Sequence, residues 1–210
     1  MNIPITAHIS ALSHILPAYV GIRNWKNLEV PMKVFALFSI FGVAVELIEL
    51  ILSRLGIHTM FLINFYRLVE FECFSYLYYQ RIERRGYKDI LQIMGMLYFL
   101  LWMLDVSFNP FPKEYGESIN AGTNILLIAG TLFVFFNIFY NSKILISEYS
   151  LFWIGIGGII YWTGTIIIFT MGNEILKMGL NYFDALWHIN WIFTIIANIC
   201  FMRSFWCKIF

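Results

Sequence analysis

The stretch VPMKVFALFSIFGVAVELIELIL, residues 30–52, is an apolar run whose charged side chains are Lys33, Glu46 and Glu49. A helix needs about 20 mostly apolar residues to cross the hydrocarbon core of a bilayer. This stretch is long enough, and its two glutamates lie near one end. It therefore predicts a transmembrane helix with carboxylates close to one membrane surface.

The same pattern recurs along the chain. Of the 210 residues, 60% are hydrophobic and 13% charged, whereas charged residues make up about a quarter of a soluble domain. Short polar breaks, several marked by Gly or Pro, separate the apolar runs. The sequence predicts an all-α membrane protein, a single domain over residues 1–210, with seven transmembrane helices. The predicted spans are Ile3–Gly21, Val30–Leu52, His58–Gln80, Asp89–Phe108, Ile119–Tyr140, Tyr149–Met171 and Phe183–Cys207.

Lysine and arginine are distributed unevenly between the two ends of these spans. Three of them, Arg54, Lys113 and Lys177, fall on one side. The other side collects Arg23, Lys26, Lys33, Arg81, Arg84, Arg85, Lys88, Lys143, Arg203 and Lys208. Short loops rich in Lys and Arg stay in the cytoplasm. The N-terminus is therefore expected outside and the C-terminus in the cytoplasm.

Polar side chains within the spans concentrate in the outer half of the predicted bundle. Arg67 lies near the middle of the third span, where an unpaired charge costs about 2.5–3.5 kcal/mol or more. We expect it to be neutralised by Glu70, one turn away, and by Glu46 of the second span, with Asn64 as a further hydrogen-bond partner. Glu72 points to another face, and the sequence assigns it no role.

This convergence of polar groups has two interpretations. One is a structural clamp between the second and third spans. The other is a cavity open to the outside that binds a small, partly apolar ligand with a polar or cationic group, where a carboxylate far from Arg67 is held neutral. The predicted ligand-binding residues are Glu46, Glu49, Asn64, Arg67, Glu70, Trp153, Tyr161, His188, Trp191 and Asn198.

Three stretches resemble a largely uncharacterised family of small bacterial membrane proteins, chiefly from Bacteroidota. They are VELIELILSRLGIHTMFLINFYRLVEFECFSYLYYQ, FWIGIGGIIYWTGTIIIF and LWHINWIFTIIANICFMRSFWC. The residues that carry the resemblance are Glu46, Asn64, Glu70, Trp153, Tyr161, Gly164 and Asn198. The resemblance implies seven helices, a bacterial inner-membrane location and an association with signalling genes; it brings no established activity or cofactor. Arg67 is not part of the family pattern.

Three functions are compatible with these features. A sensor or receptor would bind an amphipathic ligand in the cavity. A proton- or cation-coupled transporter would use the intramembrane carboxylates, although no repeat or interrupted half-helix appears. A metal-dependent lipid hydrolase would use the Asp184 and His188 spacing, one helical turn. A rhodopsin-like protein is excluded, because the last span has no lysine midway for a Schiff base.

The expected partners follow from charge and length. The cytoplasmic chain is too short for an enzymatic signalling domain, so a receptor would need a partner protein. The basic residues Arg81, Arg84, Arg85 and Lys88 are candidates for contacting that protein, or for binding anionic lipid headgroups. A net charge of +1 gives no indication of nucleic-acid binding, and no motif predicts a cofactor or a bound metal.

Overall fold

A computed structural model of the chain describes residues 4–57, 59–108, 117–141, 145–207 and 210. These residues are all-helical, as predicted. The helices are α1 (Ile5–Ser13), α2 (Ile15–Asn24), α3 (Val30–Arg54), α4 (Met60–Arg81), α5 (Arg85–Phe108), α6 (Glu117–Asn141), α7 (Ser150–Met178) and α8 (Leu180–Ser204). Each predicted span overlaps one of them, except that the first corresponds to α1 and α2 together.

The first apolar segment, Ile5–Asn27, is interrupted at His14. Pro17 explains the position of the break. Proline has no backbone N–H, so the carbonyl of Ser13, four residues earlier, receives no helical hydrogen bond from it. The proline ring also crowds that carbonyl. The chain turns at His14, whose N–H bonds to the carbonyl of Ala11 at 3.3 Å, and resumes as α2.

The stretch Gly172–Tyr182 separates the sixth and seventh predicted spans and is expected to be a loop, and this expectation is wrong. Helix α7 continues through Gly172 to Met178, and α8 begins at Leu180. Lys177 donates to Glu174 at 2.6 Å, an i,i+3 pair that supports the added turn. The break falls at Gly179, whose φ of 135° suits a residue without a Cβ. The stretch Asn109–Ser118, between the fourth and fifth predicted spans, is also expected to be a loop, and its residues 109–116 lie outside the described part of the chain.

Helix α7 packs between α6 and α8, and α3 packs between α2 and α4. The glycines of the GIGG motif at 155–158 allow this close approach. A Cβ on Gly155 would lie 2.6 Å from Phe135 of α6, and one on Gly157 would lie 2.7 Å from Phe201 of α8. Helix α5 is peripheral; it packs on α4 through Gly95 and Tyr98, its buried residues, and exposes most of its apolar surface.

Buried aromatic rings close the centre of the bundle. Phe35, Phe74, Trp162 and Phe201 form this aromatic layer, with Phe74 4.8 Å from Trp162 and Phe35 5.3 Å from Phe201 between ring centroids. Three of the four are fully buried. The layer separates the end where α1 begins and α3 ends, called here the cavity end, from the opposite end.

Five described segments are long and apolar enough to cross a membrane, and α6 contains a shorter apolar stretch, Asn120–Phe136. The five are Ile5–Asn27, Val30–Arg54, Arg85–Phe108, Ser150–Met171 and Asp184–Ser204. Helix α4 is not among them, since it carries Arg67, Glu70 and Glu72 at its centre. The all-α fold with several membrane-length helices is thus confirmed, while seven spans and their orientation remain predictions.

Candidate functional site

A cavity of about 340 Å³ lies between α1, α3, α4, α7 and α8 at the cavity end. Aromatic rings and carboxylates share its wall, so an apolar body and a polar group can be accommodated together. Its polar and aromatic lining residues are His8, Ser10, His14, Glu46, Glu49, Ser53, Tyr66, Tyr161, Thr165, Phe169, Trp187, Asn190, Trp191 and Thr194.

Glu46 and Glu49 bring two carboxylates into this cavity from one face of α3. Thr59 donates its hydroxyl to Glu49 at 3.3 Å. Nδ1 of His14 lies 3.8 Å from Glu46 but closer, 3.2 Å, to the carbonyl of Ser10. The Glu46 side chain keeps 35% of its surface exposed. Neither carboxylate has a lysine or arginine ion-pair partner among the described residues.

Arg67 and Glu70 form a buried ion pair on α4, as the sequence predicted, with exposed side-chain fractions of 1% and 3%. Trp162 of α7 donates its indole N–H to the other Glu70 oxygen at 3.0 Å. Arg67 also lies 5.6 Å from the ring centroid of Phe169, a residue of the cavity wall. The pair therefore lies directly behind the wall without itself lining the cavity.

Two residues predicted to bind Arg67, Glu46 and Asn64, have other neighbours in the structure. Glu46 faces the cavity beside His14. Asn64 accepts a hydrogen bond from Asn120 of α6 at 3.2 Å, and its carbonyl accepts one from Trp102 of α5 at 3.1 Å. Helix α4 thus bonds to different neighbours at successive turns, because its faces meet α3, α5 and α6 in different directions.

Three further predicted residues do not line the cavity. Trp153 lies at the opposite end, near the start of α7, where its indole donates to the Ser147 carbonyl at 2.8 Å. His188 bonds through Nδ1 to the Asp184 carbonyl at 2.7 Å. Asn198 is buried and donates to the Ser13 hydroxyl at 2.8 Å, joining α8 to α1. The structure therefore does not bring these three into one site with Glu46.

Four predicted site residues do meet in the cavity, namely Glu46, Glu49, Tyr161 and Trp191. Their role in ligand binding stays a prediction. Sequence reasoning did not include His14, Tyr66, Thr165 or Asn190 among the site residues, although all four line the same cavity. A signal existed for His14 and Asn190, which are polar side chains within predicted spans and are therefore expected to face the bundle interior.

The basic residues at the opposite end differ in exposure. Arg81 lies 5.5 Å from the Tyr149 ring centroid, and Lys88 lies 4.8 Å from that of Tyr79. Both are half-buried by these cation–π contacts. Arg84 and Arg85 are exposed, so they are the more accessible half of the predicted partner surface.

Within the described ranges, which omit His58, no three His, Cys, Asp or Glu residues cluster as metal ligands. Comparison of the chain with protein-family models, curated proteins and solved structures finds no match. The resemblance to the Bacteroidota family therefore stays a prediction, and the case for function depends on the cavity itself.

Proposed function

We propose that the chain is a multi-pass protein of a bacterial inner membrane with seven spans, the N-terminus outside and the C-terminus in the cytoplasm. Five apolar segments support this directly. Helix α4 would be a further span, with the Arg67–Glu70 pair buried and without net charge and Glu72 as its exposed carboxylate. The seventh would be α6. The excess of Lys and Arg at the opposite end supports the orientation.

Within that topology we propose a receptor-like protein that binds a small amphipathic ligand or lipid at the cavity end. The observation that carries this proposal is the mixed lining of the cavity. Two carboxylates of α3 line the same cavity as Tyr66, Tyr161 and Trp191. Such a lining suits a ligand that is apolar over most of its surface and polar at one point.

The aromatic layer favours a receptor over an open pore. Phe35, Phe74 and Trp162 are fully buried, so within the described part of the chain apolar packing interrupts the polar lining of the cavity. Ligand binding would instead be transmitted by helix movement to a separate cytoplasmic protein. The exposed Arg84 and Arg85 are the proposed contact for that protein.

Binding can be measured on the purified protein in lipid nanodiscs by tryptophan fluorescence. Cyclohexylmethylamine, cyclohexylmethanol and cyclohexanecarboxylate are suitable probes, because they share one apolar body and differ in the polar group. We expect saturable binding of at least one probe, lost in Ala11→Phe, which adds a ring to the cavity lining and leaves every tryptophan in place. The same variant must retain its helical circular dichroism spectrum.

If none of the three probes binds saturably, the receptor proposal is overturned. A transporter would give a different result. Proteoliposomes would then accumulate a radiolabelled probe in response to a proton gradient, whereas a receptor binds the probe without net uptake.

A further inference from the structure

We propose that the groove between α4 and α5 is an interaction surface for a transmembrane helix of a second protein, one that carries a lysine or arginine at the middle of the bilayer. The residue that would bind this cation is Glu72. Such a surface requires the proposed topology, in which α4 and α5 both span the membrane. Among the described residues it shares no lining residue with the ligand cavity.

The groove between α4 and α5, called here the lateral groove, has a volume of about 740 Å³. It lies where the peripheral helix α5 packs on α4. Tyr76, Tyr79, Met96 and Phe99 supply much of its wall. In the proposed topology this wall faces lipid, so a helix from another protein can reach it by diffusion in the membrane plane.

Glu72 places a carboxylate in the lateral groove near the middle of α4. It lies nine residues, about 14 Å along the helix, from Arg81 at the helix end. Its side chain is exposed and reaches α5 at Gly95, where an added Cβ would lie 3.3 Å from Oε2. The glycine therefore leaves room for the carboxylate between the two helices.

The described part of the chain supplies no cation to this carboxylate. Its ion pairs do not include Glu72, whereas Glu70, on another face of α4, is paired with Arg67. Lys88 of α5 lies 4.8 Å from the ring centroid of Tyr79, about two helical turns from Gly95. Charged side chains at the middle of a membrane are costly and pair with groups of opposite charge. The complementary charge is therefore expected from another molecule.

A transmembrane helix is the form in which a fixed cation reaches this depth. Lipid headgroups carry their charges at the membrane surface, and a single chain satisfies its backbone groups within hydrocarbon by forming a helix. A second copy of this chain fits less well. Arg67 is buried and paired, and the other described lysines and arginines lie near helix ends or in connections. The partner is thus a different membrane protein with a basic residue in the middle of a span.

Synthetic transmembrane helices are suitable probes. Three polyleucine peptides of about 20 residues carry lysine, leucine or glutamate at the centre, and their association with the full-length protein is measured in phosphatidylcholine liposomes by fluorescence energy transfer. A charge-assisted hydrogen bond predicts that the lysine peptide binds about tenfold more tightly than the leucine peptide. Glu72→Gln should abolish that difference. Glu72→Lys should transfer the preference to the glutamate peptide.

The double variant Glu72→Gln/Leu132→Glu is the matched control. Leu132 is 54% exposed on α6 and is not a lining residue of the lateral groove, so the variant moves the carboxylate to a different lipid-facing surface. We expect it to show no preference for the lysine peptide. A preference equal to that of the unaltered protein would mean that any carboxylate facing lipid suffices, and the lateral groove would then not be the site.

Two other results would overturn the proposed surface. Equal binding of the three peptides by the unaltered protein is the result expected if lipid alone fills the lateral groove. Self-association of the unaltered protein that is lost in Glu72→Gln would identify the occupant as a second copy. Either result leaves the ligand cavity untouched, because binding of the cyclohexyl probes is measured separately.

A failure of the topology is recognised by thiol labelling. Cys73 and Cys200 are buried, so Cys207→Ser removes the more accessible thiol among the described cysteines. In that background the thiol of Glu72→Cys should resist a membrane-impermeant maleimide, as expected for a position within the bilayer. Rapid labelling would place position 72 in water and overturn both the span at α4 and the proposed surface.

Discussion

The Arg67–Glu70 pair on α4 and the Glu46–Glu49 pair on the neighbouring helix α3 have opposite surroundings. On α4, Glu70 is 3% exposed, paired with Arg67, and bonded to the Trp162 indole at 3.0 Å. On α3, Glu46 is 35% exposed and Glu49 receives a single neutral hydroxyl from Thr59. Both carboxylate oxygens of Glu70 accept hydrogen bonds from the protein. The carboxylates of Glu46 and Glu49 can still accept hydrogen bonds from a ligand.

This difference separates the two interpretations that the sequence left open. The buried Arg67–Glu70 pair belongs to the fold, because removing one partner leaves the other charge buried and alone, which is costly. Carboxylates that face a cavity contribute little to the fold and remain available to a ligand. The structure shows a clamp of another kind than the one predicted between the second and third spans, because the Arg67–Glu70 pair lies within α4 and bonds to Trp162 of α7. The proposed site at Glu46 and Glu49 lies on α3.

The largest expected effect is on the clamp. Arg67→Met leaves the Glu70 carboxylate buried without its cation and should lower the free energy of unfolding by about 3–5 kcal/mol. Adding Glu70→Gln removes the stranded charge and should restore much of the loss. Reversible unfolding in mixed micelles measures both. Arg84→Met, an exposed arginine, is the control and should change stability by less than about 0.5 kcal/mol; a similar loss there would count against the clamp.

A smaller effect is expected from the second donor to Glu70. Trp162→Phe removes an N–H bonded to a charged acceptor and should cost about 2 kcal/mol. Trp102→Phe removes an indole N–H whose acceptor is the neutral Asn64 carbonyl, at 3.1 Å, and should cost about 1 kcal/mol. The same unfolding measurement applies. If Trp102→Phe lowers the free energy of unfolding more than Trp162→Phe does, the hydrogen bond from Trp162 to Glu70 is not the stronger of the two.

The smallest effect on stability should come from the cavity. Glu46→Gln/Glu49→Gln changes groups without a Lys or Arg partner among the described residues, and we expect a change within about 0.5 kcal/mol per residue. The unfolding curve should superimpose closely on that of Glu72→Gln. A loss of several kcal/mol would show that these glutamates are structural, and the comparison with Glu70 would then fail.

Hydrophobic patterning was sufficient to predict the helices. Long apolar runs require little tertiary information, because each backbone bond is satisfied within its own helix. The end of α7 was missed for a local reason. Gly172, the first residue after the sixth predicted span, lies inside α7, because a glycine is tolerated within a helix, and Gly179 with its positive φ provides the break.

The site was predicted less completely, because depth along a helix does not fix the direction of a side chain. Glu46 and Tyr161 reach the same cavity, while Asn198, also at a polar position, turns toward Ser13. Trp153 lies three residues after the start of α7, which is at the end opposite the cavity. Direction depends on helix rotation, which is set by packing contacts such as those of Gly157 and Phe201.

The aromatic layer also has an electrical consequence. In the proposed topology the cavity is continuous with the outside, so most of the membrane voltage falls across the dry packing of Phe35, Phe74, Trp162 and Phe201. Moving one charge through the whole voltage changes its energy by about 2.3 kcal/mol per 100 mV. A cation that stops above the layer crosses only a small part of that drop. Its occupancy should therefore report the external concentration and be nearly insensitive to the energisation of the membrane.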